Sequence, residues 1–319
     1  MGFDSIPRIE TADFYLDVAF RAGRNAASLK KTTLKIDKFK KIKTLEIEKI
    51  DVVNKNLNKK LSDITYSFPN FENLTEFYEE LVRTLIDYTA LKKSLGSVNW
   101  AKNKIADFSR EYVFKIKKCQ DSLVIKKYSK EYNGRISSVM KQISKNLLFL
   151  DESRRVMKDF PSIKDGLFTI AIAGFPNVGK STVLSKLTTS KPDIQAYAFT
   201  TKTLNVGYMA SGHNKIQFID TPGTLNRLDK MNAIEKIAYL AIKYCSELII
   251  FIYDLTETYS LEDQNKLLKR MKEFDKPILI YLSKADLLEE MTINDFCKKN
   301  KDAIISIDVL KEKILNISI

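Results

Sequence analysis

Gly174-Phe175-Pro176-Asn177-Val178-Gly179-Lys180-Ser181 has the spacing GxxxxGK[ST], and Thr182 follows it. Glycines at that spacing let successive backbone N–H groups turn inward on an anion. Lys180 can then reach the β- and γ-phosphates of a nucleotide, and Ser181 can offer its hydroxyl to Mg2+. This reading places Lys180 at a surface cradle. Asp220-Thr221-Pro222-Gly223 supplies a carboxylate able to hold Mg2+ through water and a backbone N–H, at Gly223, able to sense a γ-phosphate. Between the two lies Phe199-Thr200-Thr201-Lys202-Thr203, where Thr201 is the choice to complete the metal's coordination. In Ser283-Lys284-Ala285-Asp286 the two oxygens of Asp286 can accept from N1–H and N2–H2 of guanine, a pair that adenine lacks. The Lys284 stem can lie along the purine, and Ser306 is the candidate for the remaining purine-side loop. Read together, the groups describe a site for GTP or GDP with Mg2+.

Such groups need strands to present them. The runs LFTIAIA, LNVGYMA, KIQFID, LIIFIYD, PILIYLS and AIISI, beginning at residues 167, 204, 215, 248, 277 and 303, are short and apolar. They alternate with helical segments, except that LNVGYMA and KIQFID are joined by a glycine-containing loop and read as a hairpin. The pattern predicts a mostly parallel six-stranded α/β sheet with one antiparallel strand, and ligands at the carboxyl ends of the strands. Before Phe160-Pro161 the period is helical. One stripe runs from Leu74 to Leu95 and ends at Gly96, with Asn73 and Glu76 as a capping box. Further helices are expected over 36–64, 98–116 and 136–150, and Trp100 reads as packing. An all-α bundle over residues 1–165 therefore precedes an α/β domain over 166–319.

Charge divides along the same line. Residues 1–165 hold 33 Lys and Arg against 22 Asp and Glu, while the remainder holds 20 against 18. Arg21, Arg24, Lys30, Lys31, Lys35, Lys38, Lys40, Lys41 and Lys43 face one acid in that stretch, Asp37, and form a candidate surface for the phosphates of RNA. No run of 18 apolar residues occurs, so no membrane span is expected. Three scattered cysteines and one histidine argue against disulfides and a histidine metal site, and a cytoplasmic protein is expected.

GFPNVGKST, Tyr197-Ala-Phe-Thr-Thr-Lys-Thr203, DTPG and the KxD loop resemble the Obg-related GTPases. TADFYLDVAF from residue 11, the lysine-rich arm, FPNFENLTEFYEELV and NWAKNKIADFSREYV resemble, more narrowly, the NOG-type nucleolar G-proteins. The resemblance covers nearly the whole chain. It implies a P-loop GTPase domain behind a helical bundle, slow hydrolysis of GTP, and a switch in large ribosomal subunit assembly exerted through rRNA; a monomer is expected. Members in nucleated cells carry long C-terminal extensions, and no function of such an extension is carried over. Two departures stand out: Ser283 occupies a position that is usually Asn, which implies weaker guanine affinity, and Thr224 follows DTPG where some GTPases place a water-orienting Gln. Similarity to potassium-stimulated relatives makes Asn177 a candidate K+ ligand. Lys180, Thr201, Gly223 and Asn177 are the implied catalytic set. The alternatives are an RNA-binding assembly scaffold with a nearly inert pocket, and an Obg- or DRG-like translation-associated GTPase.

Overall fold

The computed structural model of the chain describes residues 3–188, 193–195, 204–211, 214–221, 233–256 and 259–317. Its contacts divide into two compact units, one of Gly2–Asn73 and Ile86–Lys158, the other of Leu74–Leu85 and Asp159–Ile319.

The first unit is helical: α1 Ala12–Thr33, α2 Lys38–Ser67, α4 Tyr88–Lys118, α5 Ser122–Gln142 and α6 Ser144–Lys158. Each of the first four opens on a side chain that satisfies an orphan N–H. Thr11 accepts from Phe14 N, Asp37 from Phe39 N, Asp87 from Ala90 N and Asp121 from Leu123 N. The apolar stripes face the core, with Leu57, Leu61, Leu91, Val98, Ile105, Ile116, Ile125 and Ile136 all essentially without exposure. A buried hydrogen bond joins Ser109 and Tyr132 at 2.9 Å.

Four expectations about this half change. The stripe from Leu74 to Leu95 is two helices, α3 Glu76–Leu85 and the start of α4, because Asp87 breaks the first and caps the second. Gly96 lies within α4. The Asn73 capping box is absent in favour of a start at Thr75, whose carbonyl receives Glu79 N at 3.0 Å. Residues 136–150 likewise span two helices that meet at Ile143. Trp100 is not core; it is 44% exposed.

The second unit contains α3 and a sheet of order β2-β3-β4-β1-β5-β6. Its strands are β1 Thr169–Ala173, β2 Asp193–Gln195, β3 Leu204–Ser211, β4 Asn214–Asp220, β5 Leu248–Tyr253 and β6 Ile278–Leu282. Strand β1 pairs in parallel with β4 and β5, β5 pairs in parallel with β6, and β3 runs antiparallel to both β4 and β2. Helices α7 Lys180–Leu187, α8 Ala233–Cys245, α9 Leu261–Lys272, α10 Glu290–Lys299 and α11 Ile307–Ile317 complete the unit. The expected strand at AIISI is a single bridge, Tyr281 to Ile304, and β2 takes the sixth place. The chain has no length for more there, since Leu310 N already donates to Ser306 O at 3.1 Å to open α11.

Helix α3 is tied to the segment leading into β1. The Tyr78 hydroxyl donates to Pro161 O at 2.9 Å and accepts from Ile163 N at 3.2 Å, and burial pushes its pKa up to about 12. Tyr78→Phe leaves both backbone groups without that partner and should lower unfolding free energy by about 1–3 kcal/mol. Urea denaturation followed by circular dichroism would measure it.

Candidate functional site

Strand β1 ends at Ala173, and the chain must turn at once to place α7 over the sheet. Gly174 makes the turn with φ 151°, and a Cβ there would stand 2.8 Å from Ile252 O of β5. Only glycine permits that approach. Asn177 and Gly179 follow with φ of 62° and 92°, left-handed residues two apart of the kind that build anion-binding nests. Gly179 caps α7 without a side-chain hydrogen bond, so the helix N-terminus offers its first N–H groups and positive dipole end to a ligand. Phe175 and Val178 are buried beneath the loop, Pro176 is half-buried and Asn177 exposed.

Lys180 is the first residue of α7 and is buried, not set at the surface; its ammonium donates to Phe175 O at 2.6 Å. The ammonium thus spans the mouth of the loop it closes. Ser181 points the other way and donates its hydroxyl to Asp220 Oδ2 at 2.6 Å, while Thr182, in the same first turn, is exposed. Asp220 ends β4, directly across from β1, and also accepts from Asn205 Nδ2 of β3 at 3.2 Å. Burial pushes the Asp220 carboxyl up, against the hydrogen bonds from Ser181 and Asn205 and the charge of Lys180. A buried carboxylate beside a hydroxyl oxygen whose proton is already committed is a donor set that suits Mg2+. Thr221 is anchored, with its hydroxyl and N–H both on Ile172 O at 2.8 and 3.1 Å. Thr201, Pro222, Gly223 and Thr224 lie outside the described residues.

Of the base-loop candidates, Ser283, Lys284 and Asp286 follow β6 directly, and Ser306 follows the bridge at Ile304. Ser283 is buried, and its hydroxyl lies 2.7 Å from Val178 O and 2.9 Å from Tyr253 O, joining this loop to the phosphate loop. Lys284 has a left-handed backbone, φ 52°, and its ammonium donates to Asp254 Oδ2 at 2.6 Å. Asp286 is exposed in the short turn Ala285–Leu287. Ser306 is exposed and acts as a cap, its hydroxyl accepting from Asp308 N at 3.3 Å.

Sequence reasoning missed Asn205, Asp254, Gln264 and Tyr259. Gln264 is buried and grips the loop after β5, accepting from Asp254 N at 3.0 Å and donating to the carbonyls of Asp254 and Tyr259. Tyr259 then lies against Phe175 with ring centroids 4.4 Å apart. The aspartate ending LIIFIYD was the available signal. A cavity of about 290 Å3, lined by residues including Phe77, Asp165, Thr169 and Glu247, lies at the amino end of β1, away from these groups.

In the helical unit, Arg21 pairs with Asp17 and Lys30 with Glu48. Lys41 donates to Leu34 O at 3.0 Å, and Lys43 lies 5.5 Å from the Phe39 ring centroid. Arg24, Lys31, Lys35, Lys38 and Lys40 are exposed along α1, the turn and α2.

Residues 3–164 match a model described as the NOG1 N-terminal helical domain, and residues 169–284 one described as 50S ribosome-binding GTPase. An uncharacterised protein of Methanocaldococcus jannaschii is 37% identical, over 90% of this chain and 82% of that protein. Nucleolar GTP-binding protein 1 of Drosophila melanogaster is 34% identical over 79% of this chain and 39% of its own length, and that of Arabidopsis thaliana 34% over 82% and 40%. The chain thus spans less than half of these nucleolar relatives. The cytosolic domain of the T. maritima FeoB iron transporter in apo form aligns with a TM-score of 0.41 and 24% identity, over 48% of this chain and 64% of that one.

The Asp254–Lys284 pair gives a pH test. Burial alone would push Asp254 up, but the hydrogen bonds from Lys284 and Thr256 and the Lys284 charge outweigh it and hold the carboxyl below its usual value. Its stabilisation is present above the unfolded carboxylate value and is lost as pH falls through the lower, folded one. Asp254→Asn should cost about 2–3 kcal/mol at neutral pH, less than a wholly buried pair because Lys284 keeps solvent contact, and the difference from wild type should shrink on acidification. Thermal unfolding across pH 3 to 7 checks this.

Proposed function

The chain belongs to the NOG1 family, and from that premise we propose that it binds GTP, hydrolyses it slowly to GDP and phosphate, and acts as a switch on precursors of the large ribosomal subunit through rRNA. The observation that supports this reading best is the convergence of Lys180, Ser181, Asp220 and Ser283 at the carboxyl ends of β1, β4 and β6. The name of the GTPase model matched over residues 169–284, and those of the nucleolar relatives, support the ribosomal part. The proposed sequence domains are 1–165 and 166–319.

In this proposal residues Gly174 to Thr182 hold the phosphates, and Lys180 leaves the Phe175 carbonyl to meet the β- and γ-oxygens. Ser181 and Thr201 would hold Mg2+ directly and Asp220 would hold it through water. Mg2+, when bound, supplies neutralisation of charge on the phosphate oxygens. Gly223 senses the γ-phosphate, and Asn177, exposed and left-handed, is the proposed ligand for K+. Water attacks the γ-phosphorus in line, and the residues act by positioning and by stabilising charge. Asp286 reads guanine, Lys284 flanks the purine and Ser306 borders it. Because the Ser283 hydroxyl is spent on two carbonyls, it braces the loops and leaves the purine to Asp286. Arg21, Arg24, Lys30, Lys31, Lys35, Lys38, Lys40, Lys41 and Lys43 are the proposed RNA contacts.

Lys180→Met keeps an apolar stem and removes the charge. It should weaken GTP binding about 10- to 100-fold, measured by fluorescent-nucleotide titration, with the circular dichroism spectrum unchanged. Single-turnover GTP hydrolysis should be faster with large-subunit precursors than without, and faster in K+ than in Na+. Equal rates with and without the particle would reduce the protein to an RNA-binding scaffold, and equal rates in the two salts would remove the role of Asn177.

A further inference from the structure

The turn between α4 and α5 carries a second basic surface. Residues 115–130 contain Lys115, Lys117, Lys118, Lys126, Lys127 and Lys130 against a single acid, Asp121, whose carboxylate is engaged in capping α5. Lys115 is ion-paired with Glu111 at 2.6 Å, and the other five make no ion pair among the described residues. Lys117 feels Asp51 from a distance. The dipole of α4 accounts for lysines at its C-terminus, but that effect fades within a turn and gives no reason for Lys126, Lys127 and Lys130, which lie past the first turn of α5.

Apolar groups stand among these charges. Phe114 is 58% exposed, with the Lys118 ammonium 4.3 Å from its ring centroid, and Leu123 is 74% exposed at the opening of α5. A surface that stacks an unpaired base and holds the adjoining phosphates needs both an open ring and cations.

The helix registers put this turn at the same end of the helical unit as the lysines between α1 and α2. Lys30 of α1 meets Glu48 of α2, Lys102 of α4 lies over Tyr66 of α2, and Tyr112 of α4 packs on Tyr128 of α5. Asp51 of α2 senses both Lys30 and Lys117. Each neighbouring pair is therefore antiparallel, and from the level of Asp51 and Lys117 helix α2 continues to Lys38 for ~20 Å. The result is a lysine-bearing arm with a basic, aromatic step near its base.

We propose that this step is a second RNA contact, in which Phe114 stacks an unpaired base and Lys117, Lys118, Lys126, Lys127 and Lys130 hold its flanking phosphates, while the arm follows the adjoining paired stem. The inference rests on the reading that the chain binds rRNA.

The test uses the full chain, a labelled RNA stem-loop and a blunt RNA duplex of equal length, with anisotropy titrations across a salt series. Phe114→Ala should weaken stem-loop binding about fivefold or more and leave the duplex unchanged, and Phe114→Tyr should restore it. Replacing Lys117, Lys118, Lys126 and Lys127 by Gln should lower the salt slope by about 0.7 for each phosphate no longer neutralised, with GDP affinity unaltered. Wild-type binding with both variants unchanged would overturn the second contact alone. Wild-type binding to neither RNA would overturn the reading beneath it as well. If the variants lost binding to anionic phosphatidylserine vesicles but kept it to RNA, the step would be a lipid surface and the proposal wrong.

Discussion

Strand β1 has a parallel neighbour on each side, and the rest of the site depends on that pairing. Its five residues are buried, and its register with β4 and β5 brings Ile172 level with Asp220 on one edge and Ile250 on the other. Parallel strands send their carboxyl ends the same way, so the loop after β1, the acid ending β4 and the turns ending β5 and β6 emerge at one edge of the sheet. The buried stem of Lys180 and the engaged hydroxyls of Ser181 and Thr221 follow from that placement.

The loops at this edge are bound to one another as well as to the strands. Ser283 joins the loop after β6 to the phosphate loop, and Lys284 joins it to Asp254. Gln264 closes the segment from Asp254 to Tyr259, and Tyr259 rests on Phe175. Three loops from three strands thus hold a common geometry. Such preorganisation is what a site for charged phosphates requires, since dipoles already in place need no reorganisation when charge develops.

Much of this was legible in the sequence because its signals are local. A glycine spacing, an acid at a strand end and an alternating apolar run each describe a few consecutive residues, and five of the six expected strands stand where those runs are. What escaped depends on contacts between distant segments. Nothing adjacent to Asp254 announces Lys284 thirty positions later, and burial of Lys180 depends on how tightly the loop closes over it. Residues 74–95 carry one continuous apolar stripe, yet the chain breaks at Asp87 because its carboxylate stabilises a new helix start. Residues 303–307 have strand composition, but a helix begins too soon after Ile304 for a strand to form. Trp100 shows the converse, a large apolar residue read as packing that stands 44% exposed.

Nucleotide and RNA are the two ligands of this account, and its central claim is that one controls the other. The most direct measurement is co-sedimentation of the chain with large ribosomal subunits and their precursors, with GDP and with a non-hydrolysable GTP analogue, over a range of salt. The account predicts preferential binding to precursors, strengthened by the analogue and weakened by GDP. Equal binding to every particle and to unrelated RNA, indifferent to the nucleotide and lost at moderate salt, would contradict it and leave only the attraction of a basic surface for phosphate.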